Sequence, residues 1–290
     1  MNKIGYILLF GLWSIPIFAQ NGTDIYLLDL SASGGRLVLS NPRNITKKAG
    51  YDNQPFFHPA EPVLYYTSMM ADNQTDIWSY NLRTSIQTQL TNTPDSEYSP
   101  TVLPDRRYLS CIVQRKGSGD QDLVKYRIGN TADTKLILAS QKTGKIGYQA
   151  WLNTDEAVVF VLGEPASLHY LNFKTKRDTL IATQIGRSLH RIPQQNALSF
   201  VQQVDGKWMI RAFDPASKRL ADLAESAPDS DHYNAWTSDG LLLESWGNGI
   251  VWFDPKSKQW QPVLLPENLP RKKITRMAVQ GNRIAIVLDE

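Results

Sequence analysis

The sequence predicts an all-β chain folded as a six-bladed β-propeller whose last blade is assembled from both ends. Three observations predict it: a recurring unit of one blade's length, strand-like patterning with no sustained helical period, and half-units at the two termini. Composition agrees. Of 290 residues 42% are apolar and 20% charged, which suffices for a sizeable core, and eight Trp and twelve Tyr favour strands.

The N-terminus comes first in chain order. Lys3 is followed by an apolar stretch from Ile4 to Trp13, then by the helix-breaking Pro16 and the small Ala19 before Gln20. That order predicts a signal peptide over residues 1–19, cut between Ala19 and Gln20, and an exported mature chain. The rival, an uncleaved anchor, has an apolar length marginal for a span. No cysteine follows the stretch to carry a lipid, and no later segment is long and apolar enough to cross a bilayer.

Two units then match in register. Gln54-Pro-Phe-Phe-His-Pro-Ala-Glu-Pro-Val-Leu-Tyr-Tyr66 leads to Thr75-Asp-Ile-Trp-Ser-Tyr80, and Ser99-Pro-Thr-Val-Leu-Pro-Asp-Arg-Arg-Tyr108 leads to Gln121-Asp-Leu-Val-Lys-Tyr126. Each reads as strand, turn, strand, polar loop, strand, with Pro59 and Pro104-Asp105 supplying turn chemistry. Fainter copies begin near Ala150, Arg191, Ala235 and Arg276. From Pro55 and Pro100 onward, the steps between equivalent points are 45, 50, 41, 44 and 41 residues. This is the length of a four-stranded propeller blade. Residues 20–290 thus form one domain, with blades over about 50–94, 95–144, 145–185, 186–229 and 230–270. A sixth blade joins 271–290 to 23–46, because the C-terminus supplies two strands and Thr23-Asp-Ile-Tyr-Leu-Leu-Asp-Leu30 with Arg36-Leu-Val-Leu39 supplies the other two. A β-sandwich would explain the alternation but neither the period nor the half-units.

Pro55 to Leu82, with its Pro-x-Phe-x-Pro and Asp-Ile-Trp-x-Tyr-x-Leu, resembles the WD-like repeat of TolB-type propellers, and Thr88-Gln-Leu-Thr91 resembles that repeat's ending. The N-terminal Thr23–Leu30 run has the same signature. The likeness departs at His58, where Ser is usual, and at Ala60, which replaces Asp. The resemblance implies a periplasmic or exported scaffold for protein–protein contact, working as a monomeric ring with an envelope or exported protein partner.

Chemistry is sparse. The chain has no Gly-x-Ser-x-Gly elbow, His-Glu-x-x-His, phosphate loop or Cys-x-x-Cys, and ring closure leaves no length for a hydrolase domain. The expectation is no catalytic residue and no cofactor. His58, His169, His190 and His232 lack ligand spacing, and Asp72–Asp76 and Asp229–Asp231 lack that of a dedicated calcium loop, so no metal site is expected. Cys111, in Tyr108-Leu-Ser-Cys-Ile-Val113, is expected to be a buried core residue. A net charge of +3, evenly spread, gives no reason to expect nucleic acid.

Binding is expected at the channel mouth. Just before each first strand stands a largely apolar column, Asn53, Tyr98, Tyr148, Leu189, Tyr233 and Ile274. One position earlier lies a polar column that includes Asp52, Glu97 and His232. Asp52, Glu97, Tyr98, Tyr148, His190, His232 and Tyr233 are the candidate binding residues, the polar column exposed as a rim of mixed charge and the tyrosines as anchors. The expected function is non-enzymatic binding in the bacterial envelope, periplasmic or extracellular. The alternatives are a glycan-binding or carbohydrate-active propeller and a purely structural ring.

Overall fold

The computed structural model describes residues 22–138 and 140–290. The proposed leader and its Ala19/Gln20 cleavage site lie outside the described residues. Among those residues no helix is long and apolar enough to cross a membrane.

Twenty-four strands form six four-stranded antiparallel sheets. In chain order, β1 (Thr23–Ser33) and β2 (Arg36–Asn44) belong to the closing blade. The first full blade holds β3 (Asp52–Phe57), β4 (Val63–Met69), β5 (Thr75–Asn81) and β6 (Gln87–Gln89). The second holds β7 (Ser96–Val102), β8 (Tyr108–Gln114), β9 (Gln121–Arg127) and β10 (Asn130–Leu138). A single helical turn, α1 (Ser140–Thr143), leads to the third, β11 (Ile146–Trp151), β12 (Glu156–Val161), β13 (Ser167–Asn172) and β14 (Arg177–Thr183). The fourth holds β15 (Ile185–Arg191), β16 (Leu198–Val204), β17 (Lys207–Asp214) and β18 (Arg219–Glu225). The fifth holds β19 (Asn234–Trp236), β20 (Leu242–Trp246), β21 (Gly249–Asp254) and β22 (Gln259–Pro262). Finally β23 (Ile274–Gln280) and β24 (Arg283–Asp289) return to the beginning.

The closing sheet has the order β2-β1-β24-β23, with Thr23 opposite Asp289 and Asp29 opposite Arg283. The ends are tied further. Thr23 N donates to Gly50 O at 2.9 Å, and Glu290 N donates to Gly22 O at 2.9 Å. Closure matters because an open stack would leave one apolar sheet face bare at each end.

The core is a ring of layers between neighbouring sheets. Ile25, Leu27, Ala285 and Val287 of the closing blade pack on Phe57, Leu64 and Tyr66 of the first, and equivalent clusters fill the other five junctions. One position on every third strand is almost fully buried: Ile25, Ile77, Leu123, Leu168, Ile210 and Ile250. In three blades the residue before it is Asp, which ties the end of the fourth strand. Asp24 accepts from Thr46 Oγ1 at 2.9 Å, Asp76 from Thr91 Oγ1 at 3.3 Å, and Asp122 from the Ser140 N–H at 2.9 Å. The Asp-Ile and Leu-Thr pieces of the repeat are therefore two halves of one latch. Cys111 is fully buried among Val102, Leu109 and Val124 as expected, and burial holds its thiol protonated.

A second tie joins blades. The Trp151 indole N–H donates to Ser110 Oγ of the preceding blade at 2.9 Å, and Trp236 does the same to Ser199 at 2.8 Å. Both indoles follow an alanine in the same place in the repeat.

Candidate functional site

The innermost strands β3, β7, β11, β15, β19 and β23 enclose a central channel of about 500 Å³. An inner strand has a free edge, so it tolerates proline, which cannot donate to a ladder. Pro55 and Pro100 use this freedom. In both strands the pairing slips at that point, and the residue before each proline has a positive φ, 56° at Gln54 and 53° at Ser99. Left-handed non-glycine backbone costs roughly 1 kcal/mol per residue and is held in place by its surroundings. Gln54 supplies the hold: its Oε1 accepts from Thr67 Oγ1 at 2.9 Å and from the Ser99 N–H of the next blade at 2.7 Å. Gln149 Nε2 then donates to Ser99 O at 2.7 Å, so three inner strands are laced in series.

Arg276 on β23 crosses this channel. Its guanidinium donates to Tyr148 Oη of the opposite blade at 2.8 Å, and lies over the rings of Tyr148 and Tyr233 with centroid distances of 4.9 and 4.2 Å. Stacking on aromatic faces suits a planar, always-charged guanidinium. Burial pushes the nearby Tyr51 phenol up, so it stays neutral beside the cation. His190 also lines the channel; burial, reinforced by Arg276, pushes its imidazole down to about 4, so it is neutral at pH 7. Arg106, Arg187 and Arg191 complete the charged wall. Of the 28 Asp and Glu residues in the chain, none lines the channel.

The structure moves several expected residues. Asn53, Tyr98, Tyr148, Leu189 and His190 lie inside inner strands, not before them; Tyr233 does precede its strand. Asp52 and Glu97, expected on an exposed rim, are both 0% exposed. For Glu97 the reason is the latch: its carboxyl docks on the preceding blade's fourth-strand end, whereas the Asp52 carboxyl is enclosed at its blade junction without a hydrogen-bond partner. Thr91 and Thr93 hydroxyls donate to Glu97 at 3.2 and 2.5 Å, and Tyr126 donates at 3.2 Å. Burial, with Asp76 alongside, pushes Glu97 up to about 8, and burial pushes Asp52 up to about 6. His232 is likewise drawn into structure. Its Nδ1 lies 2.8 Å from Ser226 Oγ and 3.0 Å from Ser230 Oγ, both of which donate to buried Glu244, and its ring stacks on Trp208 at 4.6 Å. Tyr98 packs in the layer between the second and third blades, with Leu103 and Ile112. Only Tyr148, His190 and Tyr233 of the expected set meet at the channel.

Arg106, Arg187, Arg191 and Arg276 escaped the sequence reading as site residues. Arg191 and Arg276 occupy the repeat position held by Pro55 and Pro100, and that register was the available signal.

A second cluster has the outline of a hydrolase relay. His169 Nδ1 lies 2.7 Å from Asp178 Oδ1, and its Nε2 lies 3.2 Å from Ser167 Oγ. Ser167 sits in regular pairing on β13, opposite Val161 and Thr183, rather than on an exposed turn, and the trio does not line the channel. Thr143 also donates to Asp178 at 2.8 Å, so the cluster fastens α1 to the outer strands. Among the described residues no three His, Cys, Asp or Glu side chains converge as a metal site would require.

No family model matches the chain, and no curated protein matches it in sequence. Solved structures match the fold. The structure of putative TolB from Agrobacterium tumefaciens aligns with a TM-score of 0.69 at 9% identity, covering 93% of this chain and 99% of that one. TolB from Acinetobacter baumannii aligns at 0.60 and 11% identity, covering 93% of this chain and 65% of that one. An oligogalacturonate lyase in complex with manganese aligns at 0.52 and 13% identity, covering 94% and 99%. At these identities the likeness establishes the fold, a TolB-like six-bladed propeller.

Proposed function

We propose that this TolB-like propeller is an exported, non-catalytic binding protein that engages a protein partner of the bacterial cell envelope through its central channel. One observation carries the reading. The channel joins Arg276, Tyr148 and Tyr233 from three different blades, while Glu97 and Glu244 are committed to holding blades together and Asp52 is buried away from the channel. The polar groups that reach the channel are suited to recognition: stacked cations, phenols and amides on a rigid wall. The likeness to two TolB structures supports a scaffold role and an envelope location, and the apolar leader supports export.

The test is recovery of a defined protein by the immobilised chain from an envelope extract of its own organism, compared with a Tyr233→Ala variant. The reading expects one protein in near-stoichiometric amount, lost from the variant. The second reading, a carbohydrate-active propeller, draws on the likeness to the lyase. Turnover of oligogalacturonate, with or without added manganese, would favour it and overturn the first.

A further inference from the structure

The geometry points to an acidic peptide segment as the channel's ligand, its carboxylates held by Arg276 at the centre and by Arg187, Arg191 and Arg106 along the wall. This deepens the proposed binding role and rests on it.

The wall's charge is uncompensated. Some basic residues outside the channel do pair with acids, among them Arg115 with Asp95 and Asp122 and Arg211 with Asp222; what sets the channel apart is that four arginines share one enclosed wall with no carboxylate in it. None of the four channel arginines has a carboxylate within pairing distance among the described residues. Arg187 and Arg191 are four residues apart on β15, about 13 Å along a strand, so positive charge runs lengthwise as well as across. A narrow passage with low-dielectric walls concentrates the field of such charges and draws in anions.

The central cation is also prepared for a ligand. Two of its donors are engaged, with Thr275 O at 3.4 Å and Tyr148 Oη at 2.8 Å. A guanidinium carries five N–H donors, so an edge remains for a carboxylate to meet in two-point fashion. Nearby, His190 Nε2 is buried with no partner.

The same wall discriminates between kinds of anion. A uronate chain would bring many hydroxyl protons along with its carboxylates, and the wall meets it with amide and hydroxyl groups such as Gln149, Asn234 and Ser188 but with no carboxylate. It offers instead Pro55, Pro100, Leu189, Met277 and Val279, surfaces that suit a peptide's apolar side chains. The volume falls within the range of roughly 300–1,000 Å³ usual for ligand pockets, which fits a short extended segment and not a folded domain.

The test is fluorescence anisotropy of a fluorescein-labelled octapeptide of alternating Glu and Leu, titrated with the purified protein at low salt and at high salt. Saturable binding is expected. It should weaken roughly tenfold in Arg187→Glu and in Arg191→Glu, both exposed residues whose change leaves the core intact, and fall steeply with salt. Arg276→Gln should lose binding, with its melting temperature measured alongside. An octapeptide with Lys for Glu should not bind. Absence of binding, indifference to both glutamate variants, or tighter binding of an oligogalacturonate of equal charge would overturn the assignment. Should the acidic peptide fail while the extract still yields a defined protein partner, the anionic ligand is wrong and the binding role stands. Should both fail while oligogalacturonate turns over, the role itself is wrong.

Discussion

Replacing Glu97 with Gln should stabilise the protein above neutral pH and remove most of the pH dependence between pH 5 and 8. Glu97 is fully buried between the first two blades, facing Asp76, with Tyr126 and Cys111 as further ionisable neighbours. Its carboxyl is pushed from 4.5 to about 8, first by burial and then by Asp76. The folded state therefore holds a proton that the unfolded chain releases near pH 4.5. Stability is fully present below that value and is lost as pH rises through the folded one. One retained proton gives a slope of about 1.4 kcal/mol per pH unit, or about 4 kcal/mol over three units. Asp52, pushed up to about 6, adds a loss of the same sign at lower pH. A glutamine keeps one oxygen to accept from Thr93 and Tyr126 and places its NH2 as a donor toward Thr91 and Asp76, yet cannot ionise. Urea midpoints followed by tryptophan fluorescence at pH 5, 6, 7, 8 and 9 measure the effect. The wild type should weaken with rising pH through about 8, while Glu97→Gln should stay nearly level above pH 6, where Asp52 has already ionised. Parallel curves, or a variant weaker than wild type at pH 9, would refute the assignment of a neutral buried acid.

Three further outcomes follow from the ring and its ties. Deleting Arg283–Glu290 removes β24 and with it the pairing of β1, so calorimetry should show no cooperative transition; a native-like melt would mean that closure is not required. Ser110→Ala leaves the Trp151 indole N–H without its acceptor inside the core, and should cost about 1–3 kcal/mol by denaturant titration. A cost near zero would assign the tie no weight. Cys111 should resist a thiol reagent in the native state and react fully in urea, since it is buried and its thiol is held protonated; rapid native labelling would place it at a surface.

The distance between reading the fold and reading the site has a plain cause. A blade is local: Thr75-Asp-Ile-Trp and Leu-Thr91 are two ends of one latch some fifteen residues apart, and the repeat of such pieces at a fixed period exposes them in the chain. The site is not local. Arg276 meets Tyr148 across 128 positions of sequence, and no spacing rule connects them. Asp52 and Glu97 were misread for a related reason. Polar neighbours at a blade junction suggest a solvated rim, whereas Thr91, six residues ahead of Glu97, marks a buried latch. Leu-Thr followed by Glu was the legible signal for that arrangement.

From the chain alone come the all-β class, the number of blades and the pairing of the two ends, because strand alternation and blade period depend on near neighbours and one shared geometry. Tertiary structure alone decided which charged groups face the channel and which are buried between blades. Strand alternation assigns a side chain to one sheet face or the other, but only the curvature of six sheets about a common axis turns one edge of each into a wall. That wall assembled four arginines from three blades and excluded every carboxylate, and on it the proposed function depends.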